Sequence, residues 1–172
     1  MIDVLEPIQS REPAADWRRP WARWLGMTVL TAIVITALCN VYGQRASTQQ
    51  VSGPLAQLTL RAPTTVRPGL LFQAKITITA DQTLPNAELV LSHGWVDGLT
   101  MNTEEPSPTN ETSGPDGSLI FGIGTLQPGQ PFVQYLDYQV NPTSLSRRPQ
   151  TLVVRSNGTV AASLDRTLTI VP

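Results

Sequence analysis

Leu71–Ala80 reads LFQAKITITA. Phe72, Ala74, Ile76 and Ile78 fall on one side of a pleat, and Gln73, Lys75, Thr77 and Thr79 on the other. A two-residue period with β-branched residues is the pattern of a strand with one buried face. Turn residues bound it, Arg67-Pro68-Gly69 before and Leu84-Pro85-Asn86 after. Gln57–Arg61 and Ala87–Ser92 are predicted as flanking strands. Downstream, Ser118–Gly124 and Phe132–Val140 are two more, joined by Gln127-Pro128-Gly129-Gln130. Thr151–Ser156 and Thr159–Ser163 flank Asn157-Gly158, a pair that reaches positive φ easily and so suits a two-residue hairpin. Thr167–Val171 continues that last strand. About seven short strands without an amphipathic helix, in roughly 115 residues, predict an all-β domain over 55–172, an antiparallel sandwich.

The N-terminal third has a different composition. Trp24–Gln44 (WLGMTVLTAIVITALCNVYGQ) holds 21 residues and no charge. At 1.5 Å per residue, about 20 helical residues cross a hydrocarbon core. The expectation is a single transmembrane α-helix over 24–44, preceded by a cytoplasmic segment 1–23 and followed by a polar linker 45–54. Arg11, Arg18, Arg19 and Arg23 precede the span and only Arg45 follows closely. The positive-inside rule then puts the N-terminus in the cytoplasm and the C-terminal domain in the periplasm or outside the cell. A cleaved signal peptide is the alternative, but the leading segment carries Asp3, Glu6, Glu12 and Asp16 and no small-x-small cleavage site follows. The segment therefore reads as an uncleaved signal-anchor of the cytoplasmic membrane.

Two features of this region bear on partners. Thr28, Ala32, Thr36 and Asn40 recur every four residues, with Gly26 nearby. Small and polar side chains in a stripe are what helices use to pack in lipid, where the hydrophobic effect does not drive them together. Trp17, Trp21 and Trp24, spaced i, i+4, i+7 and interleaved with Arg18 and Arg19, suit either an aromatic belt at the headgroups or a partner's cytoplasmic surface.

Chemistry is sparse. Twelve basic residues against 13 acidic ones, a formal charge of −1, remove the electrostatic case for nucleic-acid binding. The one His and one Cys exclude a metal-rich or disulfide-stapled scaffold. His93 stands at a strand end with no nucleophile linked to it, and Cys39 lies in the apolar span, where thiolate formation is disfavoured. No histidine within the span is available for an axial haem or pigment ligand. No cofactor is implied and no enzyme is expected. The longest irregular stretch, Asn102–Gly117 (NTEEPSPTNETSGPDG), is read as a loop. Its Glu104, Glu105, Glu111 and Asp116 make it a candidate contact loop, with spacing that fits no calcium-loop template.

The runs TVRPGLLFQAKITITA (65–80) and TLQPGQPFVQYLDYQV (125–140) each place Pro-Gly ahead of an alternating strand. This arrangement resembles that of bacterial membrane-anchored immunoglobulin-like extracytoplasmic modules, over about residues 55–172. The resemblance implies an immunoglobulin-like β-sandwich serving as a spacer, adhesion unit or interaction domain. The functional expectation is a non-catalytic structural or accessory subunit of a multi-subunit membrane complex, with a respiratory or photosynthetic assembly as the example. Its partners would be integral membrane subunits and the lipid bilayer. The alternative is a free-standing surface receptor that binds a ligand through 102–117.

Overall fold

The computed structural model describes the backbone of residues 18–39 and 44–171, and side chains for all of these except residues 18–20. The chain divides into two compact units, Met1–Gly43 and Gln44–Pro172.

In the first unit, α1 (Arg18–Leu38) is a 21-residue helix. It starts six residues before the expected span and ends six before its expected end. Pro20 in the first turn costs nothing there, because that N–H has no partner within the helix. Twenty-one residues extend about 30 Å, the thickness of a hydrocarbon core. Trp21–Leu38 is long and apolar enough to cross a membrane. Its large apolar residues point to every side of the helix, from Trp21 (71% exposed) to Leu38 (81%).

The second unit is a two-sheet sandwich. One sheet is ordered β1-β2-β4-β9-β6, with β1 (Ala46–Ser52), β2 (Ala56–Pro63), β4 (Leu71–Ala80), β9 (Pro131–Val140) and β6 (Leu99–Glu105). The other is ordered β3-β11-β10-β5-β8-β7, with β3 (Thr65–Val66), β11 (Thr159–Ile170), β10 (Ser146–Ser156), β5 (Leu84–Leu91), β8 (Leu119–Leu126) and β7 (Asn110–Ser113). All pairings are antiparallel except β3 with β11, which makes the second sheet mixed. β4 buries Phe72, Ala74, Ile76 and Ile78, the face its alternation predicts. These meet Leu58, Leu60, Leu136 and Tyr138 of the same sheet and Leu89, Leu152, Leu164 and Leu168 of the other in one continuous core. The hairpin between β10 and β11 turns at Asn157 (φ 48) and Gly158 (φ 81), both in the region a type I′ turn requires.

Two expectations are corrected. The polar stretch 45–54 is not a linker: Ala46–Ser52 is strand β1, paired residue for residue with β2 from Ala46↔Pro63 to Ser52↔Gln57. As an edge strand it half-buries Ser47, Gln49 and Val51, so it carries little of the hydrophobic alternation that marks a strand. Asn102–Gly117 is likewise not one loop. It comprises the end of β6, a short crossing from one sheet to the other, all of β7 and the turn into β8.

The ladders define two ends. At the proximal end, where the chain enters β1, Ala46 pairs with Pro63, Leu71 with Gln139, Leu99 with Val140 and Ser146 with Ile170. The distal end carries the turns at Gly53–Leu55, Asp81–Thr83, Gln127–Gln130 and Asn157-Gly158. It is stitched by Gly129 N–H to Ala80 O, Asp81 N–H to Leu55 O and Leu55 N–H to Ala161 O.

Candidate functional site

The four carboxylates of 102–117 do not converge. A register shift between Met101 and Thr103 turns Glu104 toward the interior, where it is half-buried, and leaves Glu105 exposed. Inward-facing charge and a bulge blunt an edge strand against stray pairing. The peptide Glu105–Pro106 is cis, and the Pro106 carbonyl accepts a 2.8 Å hydrogen bond from Gln134 Nε2. Glu111 lies exposed on β7 in the other sheet, opposite Phe121. Asp116 sits in the β7–β8 turn, accepting from Ser118 Oγ (2.6 Å) and Ser118 N–H (3.2 Å). Those two bonds, the hydroxyl first, hold its carboxyl below the usual carboxylate range. Among the described residues no three of His, Cys, Asp and Glu gather closely enough to hold a metal ion.

His93 opens a 3₁₀ turn, His93–Trp95, at the proximal end, with an exposed imidazole beside Gly117. On α1, Thr28 Oγ1 donates to Trp24 O (2.9 Å) and Thr36 Oγ1 to Ile33 O (2.8 Å). Both hydroxyl protons are thus satisfied within their own helix. Gly26 has no neighbour within 4 Å of where a Cβ would stand. Trp21 and Trp24 are exposed. Trp17 and Asn40 lie outside the described residues, as do the side chains of Arg18 and Arg19.

A polar and aromatic cluster inside the sandwich escaped the sequence reading. Arg166 of β11 follows Leu164 and precedes Leu168 on the buried face, and only 7% of its surface is exposed. Its guanidinium lies over the Trp95 ring at 4.8 Å from the centroid. Nε donates to Gln150 Oε1 (2.8 Å), and one Nη donates to the Pro63 carbonyl (3.1 Å), tying β11 to β2 of the facing sheet. Gln150 Nε2 donates in turn to Gly94 O (2.9 Å), which holds the 3₁₀ turn. Tyr138 stacks on Phe72 (5.3 Å) and leans on Trp95 (6.0 Å). Burial pushes the Arg166 pKa down to about 10 and the Tyr138 phenol up. The Tyr138 hydroxyl and Trp95 Nε1 are buried with no hydrogen-bond partner among the described residues. The phase of the alternation around Arg166 was the available signal. The cluster bridges the two sheets and gives the proximal end a fixed shape.

The architecture defines a class: a β-sandwich module preceded by one apolar helix. No protein-family model matches the chain, and no curated protein does. It is similar to solved structures at low identity. A CARDB domain of a Pyrococcus furiosus protein, solved in complex with di-metal ions, shares 12% identity at a TM-score of 0.45, covering 72% of this chain and 95% of that one. The solution structure of CaCohA2 from Clostridium acetobutylicum shares 14% at 0.44, covering 69% and 92%. AvmM, which catalyses macrocyclization in alchivemycin A biosynthesis, shares 8% at 0.47, covering 76% and 93%. Likeness at this level carries no function from those proteins to this one.

Proposed function

We propose that this chain is a non-catalytic, membrane-anchored module in which α1 spans the cytoplasmic membrane and an immunoglobulin-like sandwich works outside it. It acts as an accessory subunit of a larger membrane protein complex. The observation that carries the reading is α1 itself. A helix apolar on all sides needs lipid or partner helices around it. Thr28 and Thr36 support the same reading, since both donate to backbone carbonyls of their own helix and can stand in lipid. The face of Thr28, Ala32 and Thr36 lets a partner helix approach closely, by van der Waals packing on small residues. Arg18, Arg19 and Arg23 at the N-terminal end of the helix and Arg11 ahead of it, against Arg45 after it, favour a cytoplasmic N-terminus.

Integral membrane subunits are the expected partners. The test is the native mass of the full chain purified from its own membrane in mild detergent. The reading predicts a stable assembly that the double variant Ala32→Leu, Thr36→Leu releases as a monomer still held in the membrane. A wild-type monomer contradicts it. The receptor reading gains only from the exposure of Glu105 and Glu111, and it predicts that their joint replacement by Gln abolishes ligand capture without changing the assembly.

A further inference from the structure

The exposed apolar surface of the sandwich is unevenly distributed. Five large hydrophobic side chains stand out from it among the described residues: Leu70 (47%), Leu71 (63%), Val96 (39%), Leu145 (58%) and Val160 (47%). Four of the five lie at the proximal end, on three adjoining loops. Leu70 and Leu71 follow the Arg67-Pro68-Gly69 turn, which is joined to β9 by Gly69 N–H to Val140 O and Val140 N–H to Leu70 O. Val96 follows the 3₁₀ turn, and its loop accepts Asn141 N–H at Gly98 O. Leu145 closes the Asn141–Ser144 turn, which Ser144 Oγ links to Arg148 and Arg148 to Asp97.

Charge follows the same division. The proximal end carries Arg45, Arg67, Arg147 and Arg148. Of its acids, Asp97 pairs with Arg148, and Asp116, bonded to Ser118, keeps its charge, so four arginines stand against two acids on these loops. Arg67 and Arg147 are exposed and in no ion pair among the described residues. The distal turns at 53–55, 81–83, 127–130 and 157–158 hold one charge, Asp81.

The geometry points to the proximal end as a lipid-contacting surface: Leu70, Leu71, Val96 and Leu145 enter the headgroup boundary, and Arg67 and Arg147 pair with anionic phospholipid phosphates. This rests on the anchor reading above. Eight residue steps separate Leu38 from Ala46, so the chain reaches the sandwich within about 30 Å of the end of α1. The first strand begins at the end that carries the aliphatic and basic residues. Apolar side chains ringed by arginine are the composition that interfacial binding uses, and phosphate is the anion that arginine grips with two N–H groups.

The experiment uses the full chain, with Cys39→Ser as background, reconstituted in vesicles of mixed phosphatidylglycerol and phosphatidylcholine. A polarity-sensitive fluorophore is placed in turn at Leu71→Cys, Leu145→Cys and Val160→Cys, and lipids bearing a headgroup-depth quencher are added. The labels at 71 and 145 are expected to shift to the blue and lose emission, while the label at 160 does neither. Replacing Arg67 and Arg147 by Gln weakens the contact about fivefold per arginine, as the roughly 1 kcal/mol per basic residue at an anionic surface requires. Unquenched labels at 71 and 145, on a chain that resists alkaline carbonate extraction, overturn the inference and leave the anchor standing. Self-quenching between labelled chains without lipid quenching overturns it in favour of a second copy on this surface. A chain stripped from the vesicles by carbonate overturns the anchor reading and this inference together.

Discussion

Replacing Arg166 separates the charge of the interior cluster from its volume. A cation whose pKa is held at about 10 by burial is disfavoured in the fold by about 3 kcal/mol relative to water. Against this stand two hydrogen bonds and the stacking on Trp95. Removing the guanidinium leaves the Gln150 and Pro63 oxygens without that donor, at about 1.5 kcal/mol each, and loses about 1–2 kcal/mol of cation–π attraction. Arg166→Met keeps most of the stem and relieves the buried charge, so its net cost is about 1–2 kcal/mol. Arg166→Ala also removes two methylenes, Cγ and Cδ, at about 0.8 kcal/mol each, leaves a cavity where the stem lay, and costs about 3–4 kcal/mol. For a unit the size of Gln44–Pro172, 1 kcal/mol is roughly 4 °C in Tm. Thermal unfolding of the full chain in mild detergent, followed by the β-sheet circular dichroism signal, should fall roughly 5 °C for Met and 13 °C for Ala. If the Met variant is as damaged as the Ala variant, the charge itself is required and the packing account of the cluster is wrong.

Tyr138→Phe removes a buried hydroxyl that has no partner, and at pH 7 it should leave Tm unchanged or raise it by a few degrees. The phenol pKa is raised in the fold, so above about pH 10 the unfolded state sheds a proton that the folded state keeps, and stability falls as pH rises. Arg166, with its lowered pKa, acts with the opposite sign over the same range; Tyr138→Phe should therefore flatten the alkaline loss of Tm measured between pH 9 and 11. Gly94→Ala drives a Cβ into the Pro149 carbonyl oxygen and should cost about 1–3 kcal/mol, with Ser92→Ala as the milder control on the same turn. Gly158→Ala forces a side chain onto φ 81 and should cost about 1 kcal/mol, read as a lower denaturant midpoint at unchanged slope.

Strands with one dry face were readable from sequence because each second residue must be apolar. Phe72-Ala74-Ile76-Ile78 is the clearest case, and the Asn157-Gly158 turn follows from the positive φ that both residues adopt. The edges were not readable. β1 shields its inner side with Ser47, Gln49 and Val51, and β6 and β7 carry acids beside prolines, so both mimic solvated loops. The helix begins at Arg18 because a proline in a first turn is neutral and because Arg23 can extend its charge away from the apolar surface. Arg166 was missed because charge in a strand ordinarily marks the wet face, and only tertiary packing on Trp95 gives it an interior place. The acids of 102–117 stand together in sequence, yet the crossing from one sheet to the other separates them in space.

The anchor reading is tested most directly by side-specific labelling in intact cells. In a Cys39→Ser background, single cysteines at Ser163, exposed on β11, and at Ser10, in the N-terminal segment, are treated with a membrane-impermeant maleimide. The account predicts that Ser163→Cys is labelled in intact cells, that Ser10→Cys is labelled only after lysis, and that both chains stay with the membrane in alkaline carbonate. Labelling of Ser163→Cys only after lysis, or release of the chain by carbonate, contradicts it.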